Sequence, residues 1–223
     1  MTPLDLIDAK VAEKHLLKHP FYQAWTRGEL SREALRDYAR QYYHHVAAFP
    51  TYLSAVHSHM EDQPARRSIL SNLIDEEAGN PNHSELWLQF AESIGVAREE
   101  AHQTPLWDET RRLIDTFRTV CREGPTEAGL AALYAYESQI PAVAESKVEG
   151  LRRFYGLTDP EAYRYFTVHV EADREHAATE RDLLAAHLND GNAPTALKSV
   201  DAVLEALWEM LSGVCRRSPV EAA

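Results

Sequence analysis

Two cysteines, Cys121 and Cys215, are all that a chain of 223 residues contains. They exclude a disulfide framework and a four-cysteine zinc site, and they point to a reducing, cytoplasmic setting. Glycine is scarce, at 9 residues, and no run of alternating β-branched residues stands out, which disfavours a β-rich fold. No apolar stretch approaches the ~20 residues needed to cross a bilayer. The start, Met1-Thr2-Pro3-Leu4-Asp5, lacks the basic and then apolar pattern of a secretory signal, so neither signal nor membrane partner is expected. Basic residues are in the minority: 23 Lys and Arg face 35 Asp and Glu, a net charge of −12. Coating a nucleic acid needs clustered Lys and Arg, so that class of partner is not expected either.

What is present reads as helix. Hydrophobic residues make up 44% and charged residues 26%, a globular balance. The length suits a single domain spanning 1–223. Segments rich in Ala, Leu, Glu and Arg with a 3.6-residue period run between plausible caps and breaks. Thr2-Pro3 opens a helix to about Lys18. A short one follows from Pro20 and ends near Gly28. Ser31 caps a long third helix that Pro50 is expected to kink. Further helices follow from Pro64, Asn82, Thr104-Pro105, Pro125-Thr126 (broken at Pro141) and Asp159-Pro160, with a last amphipathic one over about 196–214. The expectation is an all-α bundle of seven to nine helices.

The strongest chemical signal is His169-x-x-x-Asp173-x-x-His176. Offsets of four and seven put the three side chains on one helical face, and imidazole with carboxylate suits iron, manganese or zinc. Taken alone, the triplet is equally compatible with an exposed polar face. Glu137 lies in an apolar, aromatic stretch, Leu133-Tyr134-Ala135-Tyr136, where a buried carboxylate is costly unless paired or metal-bound. Glu76 and His83 are seven apart, but Gly79-Asn80-Pro81 lies between them, and Asp75 and Glu77 compete with Glu76. Three carboxylates and three imidazoles, Glu76, His83, Glu137, His169, Asp173 and His176, suit two metal ions inside a helix bundle. The mixture fits a redox pair, Fe/Fe or Mn/Fe, better than zinc. The paired Glu-x-x-His of ferritin-like bundles is absent.

The same elements are rich in tyrosine. Tyr136 adjoins Glu137, and Tyr165 shares the face of His169. Tyr22, Tyr38, Tyr42 and Tyr43 lie in the first third. Packing is the default role for such residues. Spacing alone does not single out Lys147. His44-His45 and His57-x-His59 point in different directions on a helix and read as ordinary residues.

The segment His19-Pro20-Phe21-Tyr22-x-x-Trp25-x-x-Gly28-x-Leu30, followed by Tyr38-x-x-Gln41-Tyr42-Tyr43, resembles the pyrroloquinoline-quinone synthase and thiaminase II (TenA-like) family. That family has a haem-oxygenase-like helical fold, and the resemblance extends to about residue 215. The Glu-x6-His, the isolated Glu and the His-x3-Asp-x2-His further resemble the family of the Chlamydia protein associating with death domains and its bacterial relatives. The resemblance implies a dimetal enzyme that uses dioxygen and an external reductant to make 4-aminobenzoate for folate synthesis. It further implies that the enzyme consumes itself, with Tyr22 supplying the ring and Lys147 the amino group. Tyr38, Tyr136 and Tyr165 match tyrosines beside the family's metal site, as relays or ring donors. A homodimer is expected, and a host death-domain interaction is not carried over.

Four other readings compete. A thiaminase II-type hydrolase needs a pocket cysteine, and neither Cys121 nor Cys215 matches its position. A metal-free quinone synthase leaves the six ligands without a purpose. An oxidase of the same fold acting on an external substrate would use the same six ligands. A non-catalytic interaction protein would show an exposed apolar groove, for which the last helix is the candidate.

Overall fold

The computed structural model describes residues 1–218, which contain eleven α-helices, two short 3-10 turns and no strand. The helices are α1 (Pro3–Glu13), α2 (Pro20–Arg27), α3 (Arg32–His59), α4 (Gln63–Glu77), α5 (His83–Ser93), α6 (Arg98–Gln103), α7 (Asp108–Glu123), α8 (Thr126–Glu137), α9 (Ile140–Phe154), α10 (Arg164–His187) and α11 (Ala193–Arg217). Several starts follow the caps legible in the sequence. Thr2 and Asp5 form a reciprocal capping box, and Ser31, Asp62 and Asn82 each accept a hydrogen bond from the first turn that follows.

The helix count exceeds the seven to nine expected. The short α6 lies in a stretch between two expected helices, and a break at Ser138-Gln139 divides α8 from α9. The first helix stops at Glu13, and Leu16–Lys18 forms a 3-10 turn. The helix expected from Thr104-Pro105 begins instead at Asp108. Buried Gln41 organises that start: its side chain donates to Pro105 O and accepts from Trp107 N and Thr110 Oγ1. Pro50 lies within α3 without ending it. Its flanks, Phe49 and Leu53, are buried, and their packing outweighs one lost backbone hydrogen bond.

The long α3 packs against α4, α5 and α7, while α8 packs against α10 and α11, and α9 against α10. Val200, Val203, Leu204, Leu207 and Leu211 of α11 are all buried against this body, so the apolar face of the last helix belongs to the core rather than to an open groove. No described helix is long and apolar enough to cross a membrane. Two contacts set the position of α9. The Trp25 indole donates to Lys147 O at 3.3 Å. Gly150 faces the same ring, and a Cβ there would fall 2.5 Å from Trp25 Cδ1. Glycine lets α9 close onto α2 and brings Lys147 over Tyr22.

Candidate metal centre

The six side chains named from the sequence converge from four helices. Glu76 sits in the last turn of α4, and His83 opens α5. Glu137 ends α8, while His169, Asp173 and His176 share one face of α10. All six are buried. They divide into two triads, Glu76/His83/His169 and Glu137/Asp173/His176, and within each triad one ligand atom per residue lies within 4.8 Å of the others. The turn through Gly79-Asn80-Pro81 does not separate Glu76 from His83: Glu76 Oε1 is 2.9 Å from His83 Nδ1 and 3.8 Å from His169 Nε2. In the second triad, His176 Nδ1 is 3.7 Å from Glu137 Oε1 and 3.6 Å from Asp173 Oδ1.

Surrounding groups fix how these ligands face. His169 Nδ1 lies 2.6 Å from the carbonyl oxygen of Tyr165, which can only accept, so Nδ1 carries the hydrogen and the Nε2 lone pair faces Glu76. His176 Nε2 lies 3.1 Å from Asp75 Oδ2, which directs Nδ1 toward Glu137 and Asp173. Asn72 Nδ2 donates to both oxygens of Glu137, at 3.0 and 3.2 Å. Asp75, which competed with Glu76 as a ligand in the sequence, thus sits behind a ligand. Asn72 was not read from the sequence, although it lies one turn before Glu76 on α4. Glu180 was also missed. It is buried beside Glu137, one turn beyond His176.

The protonation states record the conflict among these groups. Burial pushes the carboxyls of Asp173 and Glu137 up. Burial also lowers His169, helped by the charge of His83. His176 moves up despite its burial, because Asp173, Glu137 and Asp75 all favour its charged form. His83 Nδ1, His176 Nδ1 and Asp173 Oδ2 are buried without a well-formed hydrogen bond. The 2.9 Å approach of His83 Nδ1 to Glu76 is close but poorly aligned. Buried donors and acceptors are normally satisfied, so unpaired ligand atoms converging in two triads fit a pair of cations. Mixed imidazole and carboxylate donors suit iron and manganese.

A second cluster adjoins the first. Lys147 of α9 is buried, and its Nζ donates to Tyr38 Oη at 2.6 Å. Tyr38 Oη lies 3.3 Å from Tyr22 Oη. The Lys147 nitrogen stands 5.4 Å from the Tyr22 ring centre, 5.0 Å from Tyr38 and 4.9 Å from Phe166. Burial lowers the Lys147 amine to about 7 and raises the Tyr22 phenol. Tyr136 Oη pairs with Tyr42 Oη at 2.8 Å. Tyr165 joins the two clusters: its ring centre is 4.1 Å from that of His169 and 4.8 Å from Trp87, which lies 5.6 Å from Tyr38. Trp87 is an addition to the sequence reading, and Tyr42, expected there as a packing residue, pairs with Tyr136. Cys121 lies in the core, where burial pushes its thiol up to about 12, so it is no nucleophile. His45, read as ordinary, sits in an aromatic cage of Tyr42, Phe49, Tyr52, Phe117 and Tyr136.

An all-helical body with carboxylate and histidine triads inside it describes a class of redox protein, and the sequence agrees. Residues 36–208 match the iron-containing redox enzyme family, and the chain belongs to that haem-oxygenase-like family. It is 44% identical over 209 residues to the 4-aminobenzoate synthase of Chlamydia pneumoniae, covering 94% of this chain and 93% of that one. It is 42% identical over 218 residues to the 4-aminobenzoate synthase of Nitrosomonas europaea, covering 93% and 89%. Among solved structures, a TenA homolog from Pseudomonas syringae superposes with a TM-score of 0.81 over 96% of this chain and 91% of that one. Its 15% identity speaks for the fold alone.

Proposed function

We propose that this chain makes 4-aminobenzoate, taking the ring from Tyr22 and the nitrogen from Lys147, with two redox-active metal ions and dioxygen. The relatives named 4-aminobenzoate synthase support the product. The observation that carries the self-derived substrate is the run Lys147–Tyr38–Tyr22, hydrogen-bonded at 2.6 and 3.3 Å inside the protein. The two triads would hold the ions, Fe/Fe or Mn/Fe, which would activate dioxygen as the oxidant, with an external reductant completing the electron count.

The residues themselves do the rest. Aromatic rings around Lys147 exclude water and lower its amine to about 7, so that a substantial neutral fraction with a free lone pair is present near neutral pH. Tyr38 Oη can pass a proton between Tyr22 Oη and Lys147 Nζ. Tyr165 and Trp87 form an aromatic bridge from His169 to Tyr38, suited to moving an electron, and the Tyr42–Tyr136 pair offers a second phenolic relay. Holding both donors in one buried site, with Lys147 Nζ 5.4 Å from the Tyr22 ring centre, removes part of the entropic barrier that free reactants would face. An oxidase acting on an external substrate would need only a cleft that reaches the six ligands, so what favours the self-derived reading is the buried run itself, with Tyr22 1% and Lys147 4% exposed.

Lys147→Arg keeps a cation but removes the primary amine. That variant is expected to bind the wild-type complement of metal and to form no 4-aminobenzoate. Product at the wild-type yield from this variant would refute Lys147 as the nitrogen source.

A further inference from the structure

The buried triads need a way in for a cation, and one side of the molecule supplies it. A cleft of about 520 Å³ lies among α4, α5 and α10. Two of the six ligands, His83 and His176, form part of its wall. Both are more than nine-tenths buried, and the Nδ1 of each lacks a well-formed hydrogen bond. The outer wall carries three exposed carboxylates, Asp75, Glu171 and Glu175, and neither Lys nor Arg lines the cleft.

Asp75 pairs with His176, but the charges of Glu171 and Glu175 are uncompensated. Arg174, the basic residue between the two glutamates on α10, pairs with Glu145 of α9 instead. Among the described residues no basic side chain pairs with Glu171 or Glu175. Like charges four residues apart on a helix destabilise it, an arrangement that an arriving cation relieves. A smaller cleft of about 240 Å³ shares Asp75, Glu175 and His176 and reaches Asn72 and Glu180 behind the second triad. Glu175 therefore stands at both openings.

We propose that this acidic cleft is the loading route for the divalent cations, with Glu171 and Glu175 capturing the hydrated ion before His83 and His176 take it inward. The proposal rests on the metal-binding reading above. Carboxylates lining a cleft with low-dielectric walls raise the local cation concentration and speed association, an effect that salt screens over about 8 Å at physiological strength. Oxygen ligands then exchange the outer waters, and the unpaired imidazole nitrogens complete the transfer. Asp75 also holds His176, so it is left untouched in the test.

The experiment is stopped-flow absorption of Co²⁺ binding to metal-free full-length protein, with Co²⁺ alone as the probe. The Glu171→Gln/Glu175→Gln variant is expected to reach the wild-type final occupancy. Its association at low salt is expected to be about five- to tenfold slower, with the difference collapsing at high salt. Glu61→Gln/Glu123→Gln makes the same change of net charge at exposed sites outside the cleft and is expected to load at the wild-type rate. Equal slowing in both variants, or none in the first, overturns the route. Wild-type protein that takes up no Co²⁺ overturns the metal-binding reading itself.

Discussion

Lys147 Nζ donates a 2.6 Å hydrogen bond to Tyr38 Oη from a position only 4% exposed. No carboxylate offsets its charge there, and burial lowers the amine from 10.5 to about 7. Between those values the folded chain holds Lys147 neutral while the unfolded chain binds a proton. Stability from this group therefore rises with pH across that window and is lowest at pH 7 and below. Lys147→Met is expected to raise the melting temperature, most at pH 7 and progressively less toward pH 10. A gain that does not shrink with pH would show that the amine is not held neutral.

The two triads are expected to fail separately. Asp173→Ala removes a ligand from one triad only, so bound metal should fall by about half while helix content, measured by circular dichroism, stays near wild type. Asp75→Asn leaves all six ligands in place but weakens the group that orients His176, and metal affinity at that triad should drop about 10–100-fold. Elemental analysis after dialysis against graded chelator reads both effects. Full occupancy in Asp173→Ala would remove that residue from the centre.

Gly150→Ala tests the approach of α9 to α2. The added Cβ would overlap the Trp25 indole, so α9 must shift and carry Lys147 with it. A loss of about 1–3 kcal/mol of stability is expected. Product per chain should fall while metal content holds, because α9 supplies no ligand. Unchanged yield would mean that the placement of Lys147 over Tyr22 does not matter.

How much of this could be read from the sequence depends on how far each relation reaches along the chain. His169, Asp173 and His176 share one helix, and helical periodicity alone put them on one face. Glu76 and His83 span a break between helices, and no periodicity passes through Gly79-Asn80-Pro81; their contact comes from how α4 and α5 pack. The division into two triads is likewise tertiary. Spacing gave Lys147 no distinction, since its burial against Tyr22, Tyr38 and Phe166 is a tertiary relation, and only the family resemblance pointed to it. Pro50 signals a kink rather than a stop, and α3 runs on past it to His59.

Self-consumption is tested most directly by mass spectrometry of product and protein after aerobic reaction with iron, manganese and a reductant, using protein labelled with ring-¹³C tyrosine and ¹⁵N lysine. The account predicts 4-aminobenzoate carrying both labels, at no more than about one molecule per chain, with mass lost from the peptides containing Tyr22 and Lys147. Unlabelled product formed over many turnovers from an added substrate, with both peptides intact, would contradict it.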